Sequence, residues 1–396
     1  MEGKSKMTHM SYISHVVEKK KVLQSRADSR DAGHTYNITF GILSALAIIM
    51  IVAGHVGYDI LTVGGLFPYY SFHVQLFLFI SGYFYREEEE EHPLLYIKKK
   101  AKRLLLPYFI WNLIYGLIAW ALRAFCGFSM GEAISLKTLF VSPFLNGYQF
   151  IYNYAAWFVP VLFIIEMMNL CMRLILRKLH LQYEWLILAG SLAVGIAVVQ
   201  LAIGGHVWGL YKTPGRLLFL FPCFQMGQFY KKKLEEHDTL GNLPYFAIVI
   251  GMQMVLSLCC NGLAYSSVWC TGFANGPVIP YVTVVSGVAF WLRVARILTP
   301  ALGKSRAVSY LSRNTYAVMM HHVMAFVLVK GILAGIAAHT GYLADFDFVR
   351  FHTDIDYYYL VRGAETFQMV YLAVGVVLPL LLQRGISLLV SQFGGT

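Results

Sequence analysis

The chain is 396 residues long, 58% hydrophobic and only 13% charged, with a mean hydropathy of +0.58. A water-soluble protein of this length carries far more charged surface, so that class is excluded. The formal net charge of +11 is divided among short segments between apolar runs, which argues against a nucleic-acid-binding face.

Apolar runs of roughly 18 to 25 residues recur along the chain, the pattern of an all-α, polytopic membrane helix bundle. Short alternating strands, the mark of a barrel, are missing from the pattern. Residues 1–35 read as a cytosolic N-terminal tail rather than a removable leader, because no apolar core precedes a cleavage site. The membrane domain is expected over 36–392. Its ten spans fall at about 38–57, 66–85, 104–122, 157–175, 185–203, 214–230, 244–261, 277–295, 308–330 and 366–384. With the amino terminus inside, 25 of the 32 Lys and Arg residues face the cytosol and 7 face outward. The positive-inside rule therefore predicts a multi-pass protein of the cell membrane with both termini cytosolic. The six cysteines show no metal-type spacing with histidine, and no metal is expected. Whether Cys126 and Cys270 pair near the outer loops is left open.

The first span ends in VAGH, placing His55 near its outer end. An ionisable group inside a bilayer is costly, which makes it a functional candidate. The second span, FHVQLFLFISGYF, holds His73 and Gln75, and Ser81 with Gly82 offers a close backbone approach. The five glutamates Glu87 to Glu91 read as a solvated loop tip. In YIKKKAKRLLLPYFIW, Lys99, Lys100, Lys102 and Arg103 form a basic face at the cytosolic mouth, suited to phosphates, and Pro107 is expected to kink the helix. Glu166 is the one acidic residue deep in an expected span, where it needs a partner. Arg216 opens the sixth span from outside, where it can meet an anion or snorkel. His321 and His322 point about 100° apart on a helix, so one of them is expected to face a given cavity. The outer segments 123–156 and 331–365 carry aromatic and acidic residues. Their tyrosines are read first as an interfacial belt and second as a sugar-stacking surface.

Taken together, VAGH, FHVQLFLFISGYF, YIKKKAKRLLLPYFIW, WFVPVLFI, LFPCFQMGQFYKKK and YLSRNTYAVMMHH resemble the acyltransferase-3 superfamily, and most of all its fucose 4-O-acetylase-like branch. The resemblance implies an integral membrane O-acyltransferase. It would carry an acyl group, usually acetyl, from cytosolic acyl-CoA to a hydroxyl of a sugar, polysaccharide or lipid-linked glycan. No bound cofactor is implied. His55 then corresponds to the catalytic histidine, Lys100 and Arg103 to the basic donor motif, and His322 to the histidine closing the ninth span. His73, Glu166 and His322 are candidate supporting residues. One departure is plain: Ser44 and Ala45 stand where the family usually has a basic residue, so donor binding must be rearranged at the base of span one. The rival reading is a multi-span transporter or glycan flippase. It is disfavoured by the absence of repeated halves.

Overall fold

Helix α1 (Ile38–Val56) occupies the middle of the molecule. Asn37 caps it by accepting the Phe40 N–H, and Gly57 ends it with φ 74°, a left-handed conformation that strains residues bearing a Cβ. The computed structural model describes residues 36–57, 59–128 and 130–393. The tail expected over 1–35 lies outside them. After α1 follow α2 (His73–Tyr83), α3 (Pro93–Lys100), α4 (Leu106–Cys126), α5 (Phe158–Lys178), α6 (Glu184–Ile203) and α7 (Lys212–Phe229). Then come α8 (Asn242–Cys259), α9 (Ile279–Leu302), α10 (Arg306–Arg313), α11 (Thr315–His339), α12 (Phe348–Thr353), α13 (Ile355–Tyr359) and α14 (Gln368–Phe393). Among the described residues no strand forms beyond a single bridge between Ser266 and Thr271. The all-α membrane bundle expected from the sequence is the fold.

Helix α1 is apolar on every side, so it needs protein or lipid all round. It obtains protein, packing against α2, α9, α10, α11 and α14. Among the described residues, 8 helices are long and apolar enough to cross a membrane. The second and sixth expected spans are not among them. Helix α2 has 11 residues, roughly 16 Å of rise against about 30 Å of hydrocarbon. Helix α7 has the length, but Lys212, Arg216, Gln225 and Gln228 make it too polar to face lipid, and it lies largely inside the bundle. The ninth expected span is broken at Asn314, whose side chain donates to the Tyr310 carbonyl and separates α10 from α11.

The close approach expected at Gly82 is real and reciprocal. A Cβ on Gly82 would overlap the Phe224 carbonyl, and one on Gly227 would overlap the Phe79 carbonyl, so α2 and α7 touch backbone to backbone. Gly227→Val is therefore expected to cost a few kcal/mol through forced displacement of α2. Gly251→Val, where an added Cβ meets open space, is expected to cost little. Thermal unfolding of the two purified proteins in detergent measures the difference.

Between α3 and α4 the residues Ala101–Leu105 form a π-helical turn, in which the Leu106 N–H reaches back to the Ala101 carbonyl. It lies just before Pro107, whose ring cannot join an ordinary helical ladder, so the widened turn takes the place of the expected kink. The glutamate run is not a free loop tip. Glu87 pairs with Lys232 and Glu89 with Lys99, while Glu90 is buried. Neutralising lysines on neighbouring segments pull the run onto the protein. All six cysteines are free thiols.

Candidate active site

A cavity of about 990 Å³ opens among the C-terminal end of α1, the start of α2, the residues leading into α5, the loop 264–269 and the segment 353–359 that holds α13. His55 and His73 both line it. His322 lies against His55, with ring centroids 5.3 Å apart. The structure thus gathers three histidines that the sequence places on three different helices. His321 points the other way, hydrogen-bonded to Tyr115 at 2.6 Å and packed on Trp111, as the 100° offset requires.

Hydrogen bonds order these rings. The Nδ1 of His55 lies 3.1 Å from the Tyr154 hydroxyl, and the Tyr154 ring packs against Tyr359 with centroids 5.3 Å apart. The Nδ1 of His322 lies 2.8 Å from the Val318 carbonyl. A carbonyl only accepts, so that nitrogen carries the proton and Nε2 carries a lone pair. That Nε2 is buried and has no protein partner among the described residues. The Nδ1 of His73 is likewise buried without a hydrogen-bond partner among the described residues. The site is rich in acceptor nitrogens that can receive a proton.

Tyr154 was not singled out by sequence reasoning. It belongs to Ile151–Trp157, a short 3-10 segment ahead of α5. A buried amide cluster fixes that segment. Gln149 donates to Asn112 at 2.8 Å and to Tyr108 at 3.1 Å, and Asn153 also reaches Asn112. The available signal was Gln149 and Asn153 inside an otherwise aromatic stretch. The Tyr357, Tyr358 and Tyr359 run also needs correcting. All three are buried, with Tyr359 in the cavity wall, so they are not an interfacial belt. The Phe348–Thr353 and Ile355–Tyr359 helices fold the loop inward. Asp354 starts the second of them, accepting the Asp356 and Tyr357 N–H groups. Its bond to the Arg350 guanidinium holds its carboxyl below the usual carboxylate range.

The other expected site residues are distributed differently. Glu166 does not approach His55. It is buried and pairs with Lys100 at 2.5 Å, which answers its need for a partner and removes it from the support of the histidines. It also engages Lys100, while Lys99 is held by Glu89 at 2.9 Å. Lys102 and Arg103, exposed on the π turn, form no salt bridge among the described residues. Arg216 does not snorkel. It is fully buried, with Trp157 stacked against its guanidinium at 5.1 Å. Ser44, at the position where a base is missing, turns its hydroxyl to the Phe40 carbonyl of its own helix at 2.8 Å.

The protein-family model described as an acyltransferase domain, of the acyltransferase-3 type, matches residues 41–382. No curated protein and no solved structure matches the chain.

Proposed function

Because the chain belongs to the acyltransferase-3 family, we propose that it transfers an acyl group, acetyl first among candidates, from acyl-CoA to a hydroxyl of a sugar, polysaccharide or lipid-linked glycan. The observation that carries this reading is the position of His55 in the wall of an aromatic cavity, with its Nδ1 held by Tyr154. With Nδ1–H donating to the tyrosine oxygen, Nε2 is free to act as general base. The acceptor hydroxyl gives its proton to Nε2 as its oxygen attacks the thioester carbonyl. The tetrahedral intermediate then collapses, and the departing CoA thiolate takes the proton back. Acceptor enters from the cavity side, and donor from the opposite, cytosolic side, with both termini cytosolic and the protein resident in the cell membrane.

On the donor side, the exposed pair Lys102 and Arg103 is free for the CoA phosphates, because Lys99 and Lys100 already have carboxylate partners. Charge-assisted phosphate contacts are the strong ones. Lys102→Gln with Arg103→Gln is expected to raise the KM for acetyl-CoA about tenfold or more, with little change in kcat. Lys100→Gln is expected to act on stability instead, since it leaves Glu166 buried alone. The test of the whole reading is slow hydrolysis of acetyl-CoA by the purified protein, followed by comparison of envelope glycans from parent and deletion strains by mass. A protein that binds glycan but neither hydrolyses acetyl-CoA nor alters glycan mass would be a transporter.

A further inference from the structure

Among the described residues four Lys and Arg side chains are buried: Arg173, Arg216, Arg293 and Lys330. Three have found compensation inside the chain. Arg173 binds Glu184 through two nitrogens, Arg293 binds Asp238, and Lys330 donates to the Leu360 and Arg362 carbonyls. Arg216 is the exception. Its relative exposure is 0%, and Nε, Nη1 and Nη2 all lack a hydrogen-bond partner among the described residues. A guanidinium does not shed its proton, so this charge persists without an internal counter-ion.

The surroundings say where a counter-ion would come from. Arg216 stacks on Trp157 and stands near Tyr148, both of which line the cavity. One helical turn earlier on α7, Lys212 lies 4.1 Å from the centre of the Trp269 ring, another wall residue, and bonds only the neutral Asn146 side-chain oxygen at 3.1 Å. The two cations are close enough to repel each other. Neither forms a salt bridge among the described residues, whereas the acidic groups at the cavity mouth are already met. Asp354 is bound by Arg350 at 2.7 Å, and Asp356 faces Arg362 at 3.7 Å. One flank of the cavity therefore carries two uncompensated positive charges behind aromatic rings. In a low-dielectric setting that field is strongly felt within the cavity.

We infer that the acceptor is anionic: the Lys212–Arg216 flank receives a carboxylate or phosphate carried by the molecule whose hydroxyl is acylated. This inference rests on the acyl-transfer reading, in which the donor's phosphates are held on the opposite side and cannot be the occupant. The part-exposed Lys212 ammonium supplies the direct charge-assisted contact, and the buried Arg216 guanidinium adds its field from behind Trp157. The aromatic walls give the sugar ring its stacking faces.

The experiment uses the full chain in lipid nanodiscs and follows tryptophan fluorescence, since Trp157 and Trp269 line the cavity. The probes are methyl glucuronide against methyl glucoside, and farnesyl phosphate against farnesol. An anionic group on the sugar predicts glucuronide binding about tenfold or more tighter than glucoside, weakening with salt. A phosphate supplied by a lipid-linked acceptor predicts the same preference in the farnesyl pair alone. In either case Arg216→Gln removes the preference and leaves the neutral probe unchanged. Lys212→Gln, at a half-exposed position, reduces it and covers the case in which Arg216→Gln fails to fold. Equal affinity for charged and neutral probes in both pairs, or no binding of either anion up to about 10 mM, overturns the inference. Acetyl-CoA hydrolysis that depends on His55, measured on the same preparation, separates that failure from failure of the acyl-transfer reading.

Discussion

Replacing His55 by alanine is expected to abolish acyl transfer while the protein still inserts and stays abundant. His55 lies in the last turn of α1 and borders an open cavity, so its loss removes little packed volume beyond its contacts with the Tyr154 and His322 rings. The chemistry has no such tolerance. A hydroxyl attacking a thioester must lose its proton during the attack, and loss of a positioned general base costs on the order of 10² to 10⁴ in rate. Tyr154→Phe provides the graded control. It keeps the ring beside His55 and removes only the oxygen at Nδ1, so kcat is expected to fall about tenfold with the KM for acetyl-CoA unchanged. The readout is single-turnover acyl transfer, or acetyl-CoA hydrolysis where the acceptor is withheld. A His55→Ala protein working at the parental rate would move the general-base role to His322, whose Nε2 already carries the lone pair.

Much of this was legible before any coordinates, for identifiable reasons. A bilayer requires long apolar helices, so the class and most spans follow from hydropathy. His55 was visible because a histidine is conspicuous after fifteen uncharged residues, from Phe40 to Gly54. The convergence of His55, His73 and His322 was not legible, because helix period fixes which way a side chain points on its own helix but not what stands opposite. Hydropathy also misreads polar helices sheltered by others, which is why α7 counted as an ordinary span although its polar groups are buried among neighbours. The pairing of Lys100 with Glu166 crosses from one helix to another and leaves no local trace. In the sequence the basic run looked uniformly available to a ligand. In three dimensions half of it is already engaged, and the donor prediction narrows to Lys102 and Arg103.

The largest expected effect on stability lies away from the cavity, at Arg173. This residue is almost wholly buried on α5. It grips both oxygens of Glu184 on α6 at 2.6 and 2.7 Å and the Gln228 side chain on α7 at 2.7 Å. Gln228 and Gln225 both donate to Asn169, and Lys232 reaches Glu184 and Glu87. One guanidinium thus joins three helices through groups that have no water to fall back on. Arg173→Met leaves Glu184 with Lys232 alone and strands the Gln228 oxygen. Breaking such a buried pair from one side typically costs about 3–5 kcal/mol, and the surviving lysine places this case toward the lower end. Arg173→Met combined with Glu184→Met removes both charges together, so its loss is expected to be smaller than the sum of the two single losses. Thermal unfolding of parent, both single variants and the double variant in one detergent completes the cycle. Additive losses would mean that the pair is not coupled and that α5, α6 and α7 are held by their apolar contacts alone.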